Sequence, residues 1–304
     1  MKCFLCGRKA IEFLPYLGKA VCDRCFIRIY ERRVSRVIHN HKMFDKNEKI
    51  CLGVSGGKDS LSLLYFLRKR KYDVYPVLID EGIKGYRDIT IKYAEKACKK
   101  LGLDLKIYRF KDLFGFNLDD VDQKLKCSVC GVLRRRALNT AARELGCTKI
   151  ATAHNLDDEA QTALMNFARG EIWRLARSGP ISGYEMHPKF IPRVKPLREC
   201  LERENVIYAL LNGIEFKDID CPYAREALRN EYRNAINLIE EKHPGTKFGI
   251  LRTSDKLSEI LRKIQKQKFV ECEMCGEIGA DKICKVCKIL SSLQGKVDLK
   301  KSLG

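Results

Sequence analysis

The stretch KICLGVSGGKDSLSLLYFLRKRK, Lys49 to Lys71, decides the fold. Its first part, KICLGVS, reads as a buried strand. Its last part reads as a helix, because Leu61, Leu64, Tyr65 and Phe66 recur at helical spacing. Between them SGGKDS, Ser55 to Ser60, turns the strand into the helix. At such a turn the backbone N–H groups and the helix N-terminus favour an anion. Gly56 and Gly57 let the backbone approach a phosphate closely, and Lys58 supplies a cation. This is not the common G-x-x-x-x-G-K-[ST] loop, which would need Gly at 52 and Ser or Thr at 59, where Leu52 and Asp59 stand.

Reading outward, DVYPVLIDEG is a second strand, followed by a helix near Asp88 to Leu101 and a strand LKIYRF. A helix through Arg143, a strand KIATAH and a helix opened by LDDEAQTALMNFARG come next. Strands alternating with helices predict an α/β fold with a parallel sheet covered on both faces. On the other side of the loop, a charged segment near Ile27 to Phe44 reads as a connecting helix. From about Pro196 the chain turns to charged helices, LRECLERENVIYALLN and REALRNEYRNAINLIEEK, and then to a basic tail.

The 304 residues carry 59 Lys plus Arg against 39 Asp plus Glu, a formal net charge of +20. An imbalance that large favours a polyanionic partner, nucleic acid first. A Lys- and Glu-rich thermophile surface fits the composition too, but such surfaces usually balance the two signs. No apolar run is long enough for a membrane span, and MKCFLCGRKA does not read as a signal peptide, so a cytoplasmic protein is expected.

In a reducing compartment, the 15 cysteines point to metal or redox chemistry rather than a disulfide framework. Cys3, Cys6, Cys22 and Cys25 form two C-x-x-C pairs at the ends of a predicted hairpin, the ligand set of a zinc ribbon. Cys272, Cys275, Cys284 and Cys287 repeat the pattern with an eight-residue interior, which suits a zinc knuckle. Cys51, Cys98, Cys147 and Cys200 lie within strand or helix patterns and read as ordinary buried cysteines. The remaining pair, Cys127 and Cys130, has no second pair beside it and stands upstream of Arg134, Arg135 and Arg136. A third thiol stands alone at Cys221, followed by Pro222, a context also found at some iron–sulfur ligands. Three thiols can hold three irons of a [4Fe–4S] cluster and leave the fourth open. They also permit a persulfide on Cys130 or Cys221.

SGGKDS resembles the signature of the PP-loop ATP pyrophosphatases, which cleave ATP between its α and β phosphates and adenylate a substrate. AHNLDDEAQT, Ala153 to Thr162, is similar to the second motif of the members that modify tRNA bases. Together with the central C-x-x-C, the distant Cys221 and the two terminal cysteine sets, the chain resembles the tRNA 2-thiouridine synthetases of the TtuA type over essentially its whole length. That resemblance implies a five-stranded parallel PP-loop sheet flanked by N- and C-terminal zinc modules. The expected divisions are a ribbon over 1–27, a connecting helix over 28–46, a catalytic domain over 47–220, a helical extension over 221–268 and a zinc finger over 269–304. It implies an ATP site at Gly53, Val54, Ser55, Gly56, Gly57, Lys58, Asp59 and Ser60, with Ile79, Ala153 and Asp158. It places a [4Fe–4S] cluster on Cys127, Cys130 and Cys221, and a Zn²⁺ in each terminal set.

The chemistry this implies is replacement of the carbon-2 oxygen of a tRNA uridine by sulfur. Adenylation turns that oxygen into part of AMP, a good leaving group. Lys58 and Mg²⁺ stabilise the phosphates, with Asp59 and Asp158 as candidate Mg²⁺ or positioning carboxylates. Asp157 reads equally as a helix cap, and His154 as a satisfied core histidine. Arg134 reads either as a catalytic cation or as a phosphate contact. A ubiquitin-like carrier with a C-terminal thiocarboxylate, or sulfide, is the expected donor, and a homodimer the expected assembly. The thermophile-like composition favours the T-loop uridine at position 54. The wobble uridine, a cytidine acceptor, and a metal-bearing nucleic-acid regulator are the competing readings.

Overall fold

In the computed structural model, residues 1–182, 190–224, 228–264 and 269–302 are described. Strands β1 (Glu12–Leu14) and β2 (Lys19–Val21) pair antiparallel around the turn Pro15–Leu17, which Gly18 closes at φ 62°. Helix α1 (Asp23–Asn40) follows directly, so it begins earlier than the charge pattern suggests and carries Cys25 in its first turn. Its face of Phe26, Tyr30, Val34 and Val37 is buried in the main core, which makes this helix part of the body.

The sheet is built by β3 (Lys49–Gly53), α2 (Lys58–Lys69), β4 (Asp73–Asp80), α3 (Arg87–Lys100), β5 (Lys106–Arg109), the short α4 (Phe110–Phe114), α5 (Lys126–Glu144) and β6 (Lys149–Ala151). Then come α6 (Leu156–Ala168), α7 (Ile172–Ala176), β7 (Ile181–Ser182), β8 (Arg193–Val194) and α8 (Glu202–Leu211). The strand order is β5-β4-β3-β6-β8-β7, five strands parallel and β7 antiparallel on the edge. The expected five parallel strands are present. The sixth is two residues long, too short for period-two alternation to reveal.

Residues along β3 and β4 alternate between two cores, as strand geometry requires. Ile50, Leu52, Val74 and Leu78 pack with α1, α2 and α8, while Cys51, Val77 and Ile79 pack with α5. Burial on both faces explains the near-continuous apolar runs of these strands. Cys51, Cys98, Cys147 and Cys200 are all buried.

Helices α9 (Leu228–Lys242) and α10 (Thr246–Ile264) pack on α6, and α10 also packs on α7. The C-terminal module is a hairpin of β9 (Val270–Glu271) and β10 (Ile278–Gly279) followed by α11 (Lys285–Ser302). It docks on α5. Arg136 reaches the sulfurs of Cys284 at 3.5 Å and Cys275 at 3.7 Å, and Arg143 pairs with Glu277 at 2.9 Å. None of the described helices is long and apolar enough to cross a membrane.

Candidate functional site

Gly57 is the N-cap of α2, so the helix begins at Lys58 in the middle of the loop. Ser60 braces the turn: its Oγ accepts from the Ser55 N–H at 3.1 Å and donates to the Gly57 carbonyl at 3.0 Å. Gly56 sits at φ 83°, and a Cβ there would lie 2.1 Å from the Thr90 carbonyl oxygen of α3. Both the left-handed backbone and the close approach demand glycine. Gly53 ends β3, and the Val54 N–H still pairs with the Val77 carbonyl at 2.8 Å. Ile79 lies within β4 and is buried, while Ala153 follows β6. The loop therefore stands at the carboxyl ends of the central strands, where open α/β sheets bind ligands.

Lys58 is held by Glu202 at 2.8 Å, Asp218 at 3.6 Å and Asp59 at 3.7 Å. Asp59 Oδ1 accepts from Asn205 Nδ2 at 2.6 Å and from Asn155 Nδ2 at 3.3 Å. Burial raises the Asp59 pKa; Lys58 and the two amides oppose the rise, and Asp158 adds to it. Asn205, wholly buried, also accepts from the Tyr30 hydroxyl at 2.7 Å, so α1 supports the loop through one side chain.

Asn155 links the two motifs. It is the N-cap of α6: its Oδ1 accepts from the Asp158 N–H at 3.0 Å, and Asp158 Oδ2 accepts from the Asn155 N–H at 3.3 Å. This is a reciprocal capping box. Asp158 is thus brought beside the loop, and burial raises its pKa. Asp157 points elsewhere. It is ion-paired with Lys247 of α10 and accepts from the Glu202 N–H at 2.7 Å, so it caps α8 rather than its own helix. His154 is exposed rather than in the core, and its Nδ1 lies 2.9 Å from Thr152 Oγ1.

Cys127 and Cys130 occupy the first turns of α5, and Cys221 immediately precedes the turn Pro222–Ala224 that packs on that helix. Cys127 Sγ donates to the Tyr223 carbonyl at 3.2 Å, which ties the two segments together. Burial pushes the Cys130 thiol up to about 12, while Arg134 pulls against it. Burial also raises Cys221. Among the described residues, the sets whose sulfurs all lie within 4.8 Å of one another are the two terminal ones, Cys3/6/22/25 and Cys272/275/284/287. Those two could each hold a single tetrahedral ion. In the C-terminal set the Cys284 N–H donates to Cys272 Sγ at 3.2 Å and holds that thiol down to about 6. The looser triad fits a polynuclear cluster better than one ion, since in a cluster each thiolate binds a different iron.

Glu81 and Arg87 stand between the loop and the thiols' electrostatic surroundings and carry no motif in the sequence. Glu81 is 1% exposed and Arg87 is 4% exposed. They form a two-pronged ion pair, with Arg87 Nη2 2.8 Å from Glu81 Oε1. Arg87 Nη1 donates to the Ser55 carbonyl at 3.1 Å, and Arg134 Nη1 lies 3.6 Å from Glu81. The same pair acts electrostatically on Cys130 and Cys221. The position of Glu81 just past the carboxyl end of β4 is the one signal that could have flagged it.

Residues 28–238 match the family model described as the PP-loop domain. The tRNA-5-methyluridine(54) 2-sulfurtransferase of Pyrococcus horikoshii is 39% identical over 290 residues, covering 95% of this chain and 93% of that one. The tRNA 2-thiolation protein NcsA of Haloferax volcanii is 36% identical, covering 97% and 99%. Among solved structures, the U34-tRNA thiolase NcsA from Methanococcus maripaludis with its [4Fe-4S] cluster superposes with a TM-score of 0.83 at 34% identity, covering 96% of each chain. A phosphate loop of this sequence, a carboxylate motif capped beside it and a thiol triad on the same edge, together with whole-length relatives of this kind, place the chain in the PP-loop family, in the branch of the tRNA 2-thiolation proteins and sulfurtransferases.

Proposed function

We propose that the protein is an ATP-dependent tRNA sulfurtransferase that converts a uridine to 2-thiouridine. The observation that carries this reading is the buried Glu81–Arg87 pair, which bonds to the phosphate loop at the Ser55 carbonyl and lies within electrostatic reach of Cys130 and Cys221. ATP lies with its phosphates at the N-terminus of α2, where Lys58 exchanges its carboxylate partners for phosphate oxygens. Asp59 and Asp158, two half-buried carboxylates of which the second raises the pKa of the first, form a donor pair that fits Mg²⁺, which when bound offsets phosphate charge.

The uridine oxygen attacks the α-phosphorus, pyrophosphate leaves, and the neighbouring ring nitrogen loses its proton. Sulfur then forms a bond to carbon-2, the carbon–oxygen bond breaks, and AMP departs with the oxygen. Bound to Cys127, Cys130 and Cys221, a [4Fe–4S] cluster supplies an iron without a protein ligand at which sulfur can be held. Arg134, exposed above Glu81, supplies positive charge between the two halves of the site. The terminal cysteine sets hold Zn²⁺ as structural ions. Sulfide, or a carrier protein presenting a thiocarboxylate tail, is the donor, and the cytoplasm is the compartment.

The target is the T-loop uridine at position 54, a reading supported by the Pyrococcus relative and the thermophile-like composition. The wobble uridine at position 34 is the second reading, favoured by the whole-length superposition on the Methanococcus thiolase. Nuclease digestion and mass spectrometry of tRNA treated anaerobically with the protein, ATP and sulfide separates them. The thiolated fragment should come from the T loop. A fragment from the anticodon loop selects the second reading, and unmodified tRNA rejects both.

A further inference from the structure

Three consecutive arginines on a helix point about 100° apart, so Arg134, Arg135 and Arg136 face different surroundings. Arg134 faces Glu81, and Arg136 faces the C-terminal cysteine set. Arg135 has no carboxylate partner among the described residues. It folds back along α5, where its Nη1 is 3.6 Å from the place a Cβ on Gly131 would occupy, next to Cys130. Behind it, Arg193 of β8 donates to the Arg135 carbonyl at 3.4 Å and to Asn139 Oδ1 at 2.8 Å. Arg193 Nε is buried and unpartnered, and this guanidinium too lacks a carboxylate among the described residues.

Two further guanidiniums, Arg174 of α7 and Arg177 just after it, stand where the chain leads into β7, whose Ser182 pairs with Arg193, and both lie within electrostatic reach of Arg135. Arg177 is exposed and donates Nε to the Trp173 carbonyl at 3.1 Å, and exposed Arg174 has only a 3.5 Å pairing with Glu171. Desolvation by its surroundings, then Arg134, Arg174 and Arg177, lowers the Arg135 pKa. Burial and Arg135 bring Arg193 down to about 10. Like charges that outnumber the acids beside them are self-repelling, and several anions at once would relieve them. Trp173 and Phe167, 53% and 66% exposed, stand in the same segment, FARGEIWRLAR. Arginines interleaved with open aromatic rings suit unpaired RNA, whose phosphates bind guanidiniums and whose bases stack on rings. A protein tail ending in one carboxylate would neutralise only one of the charges.

We propose that Arg135, Arg174 and Arg177, backed by the charge of Arg193, clamp consecutive RNA phosphates beside the thiol triad, with Trp173 as a stacking face for an unpaired base. This rests on the sulfurtransferase reading for the identity of the RNA as tRNA. It assigns the grip on the strand around the target nucleotide to α5 and α7.

The test is tRNA binding by the full-length, anaerobically prepared protein over a salt series, without ATP or a sulfur donor. Arg135→Gln and Arg177→Gln should each weaken binding about tenfold and make the slope of log K against log salt shallower by about 0.7–0.9. Arg177→Lys should restore the slope. Trp173→Ala should weaken binding by about five- to tenfold with the slope unchanged. Circular dichroism and metal content matching wild type keep a folding defect from passing as support. Wild-type affinity and slope in both glutamine variants would overturn the clamp. So would variants that bind tRNA normally and use free sulfide, yet fail only with a carrier protein as donor, because the arginines would then belong to the carrier's tail. Wild-type protein that binds tRNA with the steep slope but never thiolates it would sink the sulfurtransferase reading and leave the clamp standing.

Discussion

Replacing Cys221 with alanine should abolish thiolation, by about 10³-fold or more, while leaving the fold intact. Residues that act as one unit lose nearly everything when one member goes. Cys221 is half-buried at the surface end of its segment, so the lost sulfur leaves no large cavity. After anaerobic purification the wild type should contain about four irons with matching acid-labile sulfide, and the variant far less, because a third of the protein ligands is gone. Zinc should stay near two per chain in both, since the terminal sets do not touch this residue. Cys200→Ala is the comparison: Cys200 is wholly buried among core residues, and its loss should affect stability alone. Iron absent from both proteins, with thiolation still dependent on Cys221, would move the chemistry to a persulfide on Cys130 or Cys221, loaded by transfer from a sulfane-sulfur donor such as another persulfide rather than from sulfide.

Glu81→Ala should be the most damaging substitution outside the cysteines. It strands the Arg87 guanidinium, 4% exposed, without its carboxylate. Breaking one side of a buried ion pair costs about 3–5 kcal/mol, most of it from the charge left behind. Denaturant unfolding should register that loss. The double substitution Glu81→Ala with Arg87→Met should recover much of the stability, because no charge is then left unpaired. It should not recover activity. The Arg87 contact to the Ser55 carbonyl would be missing, and the KM for ATP should rise in both variants. A double variant with normal ATP kinetics would reduce the pair to a structural prop and remove the argument that it couples the two halves of the site.

What could be read from the sequence was what local spacing encodes. SGGKDS declares itself because a phosphate loop is made by consecutive backbone, and the terminal cysteine sets because two C-x-x-C pairs converge on one ion. Asn155 was legible as well: Asn three residues before Asp158, opening an apolar run, is a capping-box pattern. Giving the capping role to Asp157 overlooked it. Asp157 instead pairs with Lys247, 90 residues away, and no local pattern announces such a contact. The same holds for Asn205, which reaches Asp59 from α8, and for Glu202, which holds Lys58. Arg135 and Arg193 looked like two of many basic residues. Only the fold, by laying β8 against α5, brings them together without an acid between them.

In the proposed reaction, one active site uses ATP to exchange a uridine oxygen for sulfur. The most direct test counts pyrophosphate released against 2-thiouridine formed, with and without tRNA, in one anaerobic reaction containing sulfide. One pyrophosphate is expected for each thiolated nucleoside, and almost none when tRNA is left out. Tight tRNA binding with no pyrophosphate, or pyrophosphate release that ignores tRNA and yields no thiolated base, would contradict it.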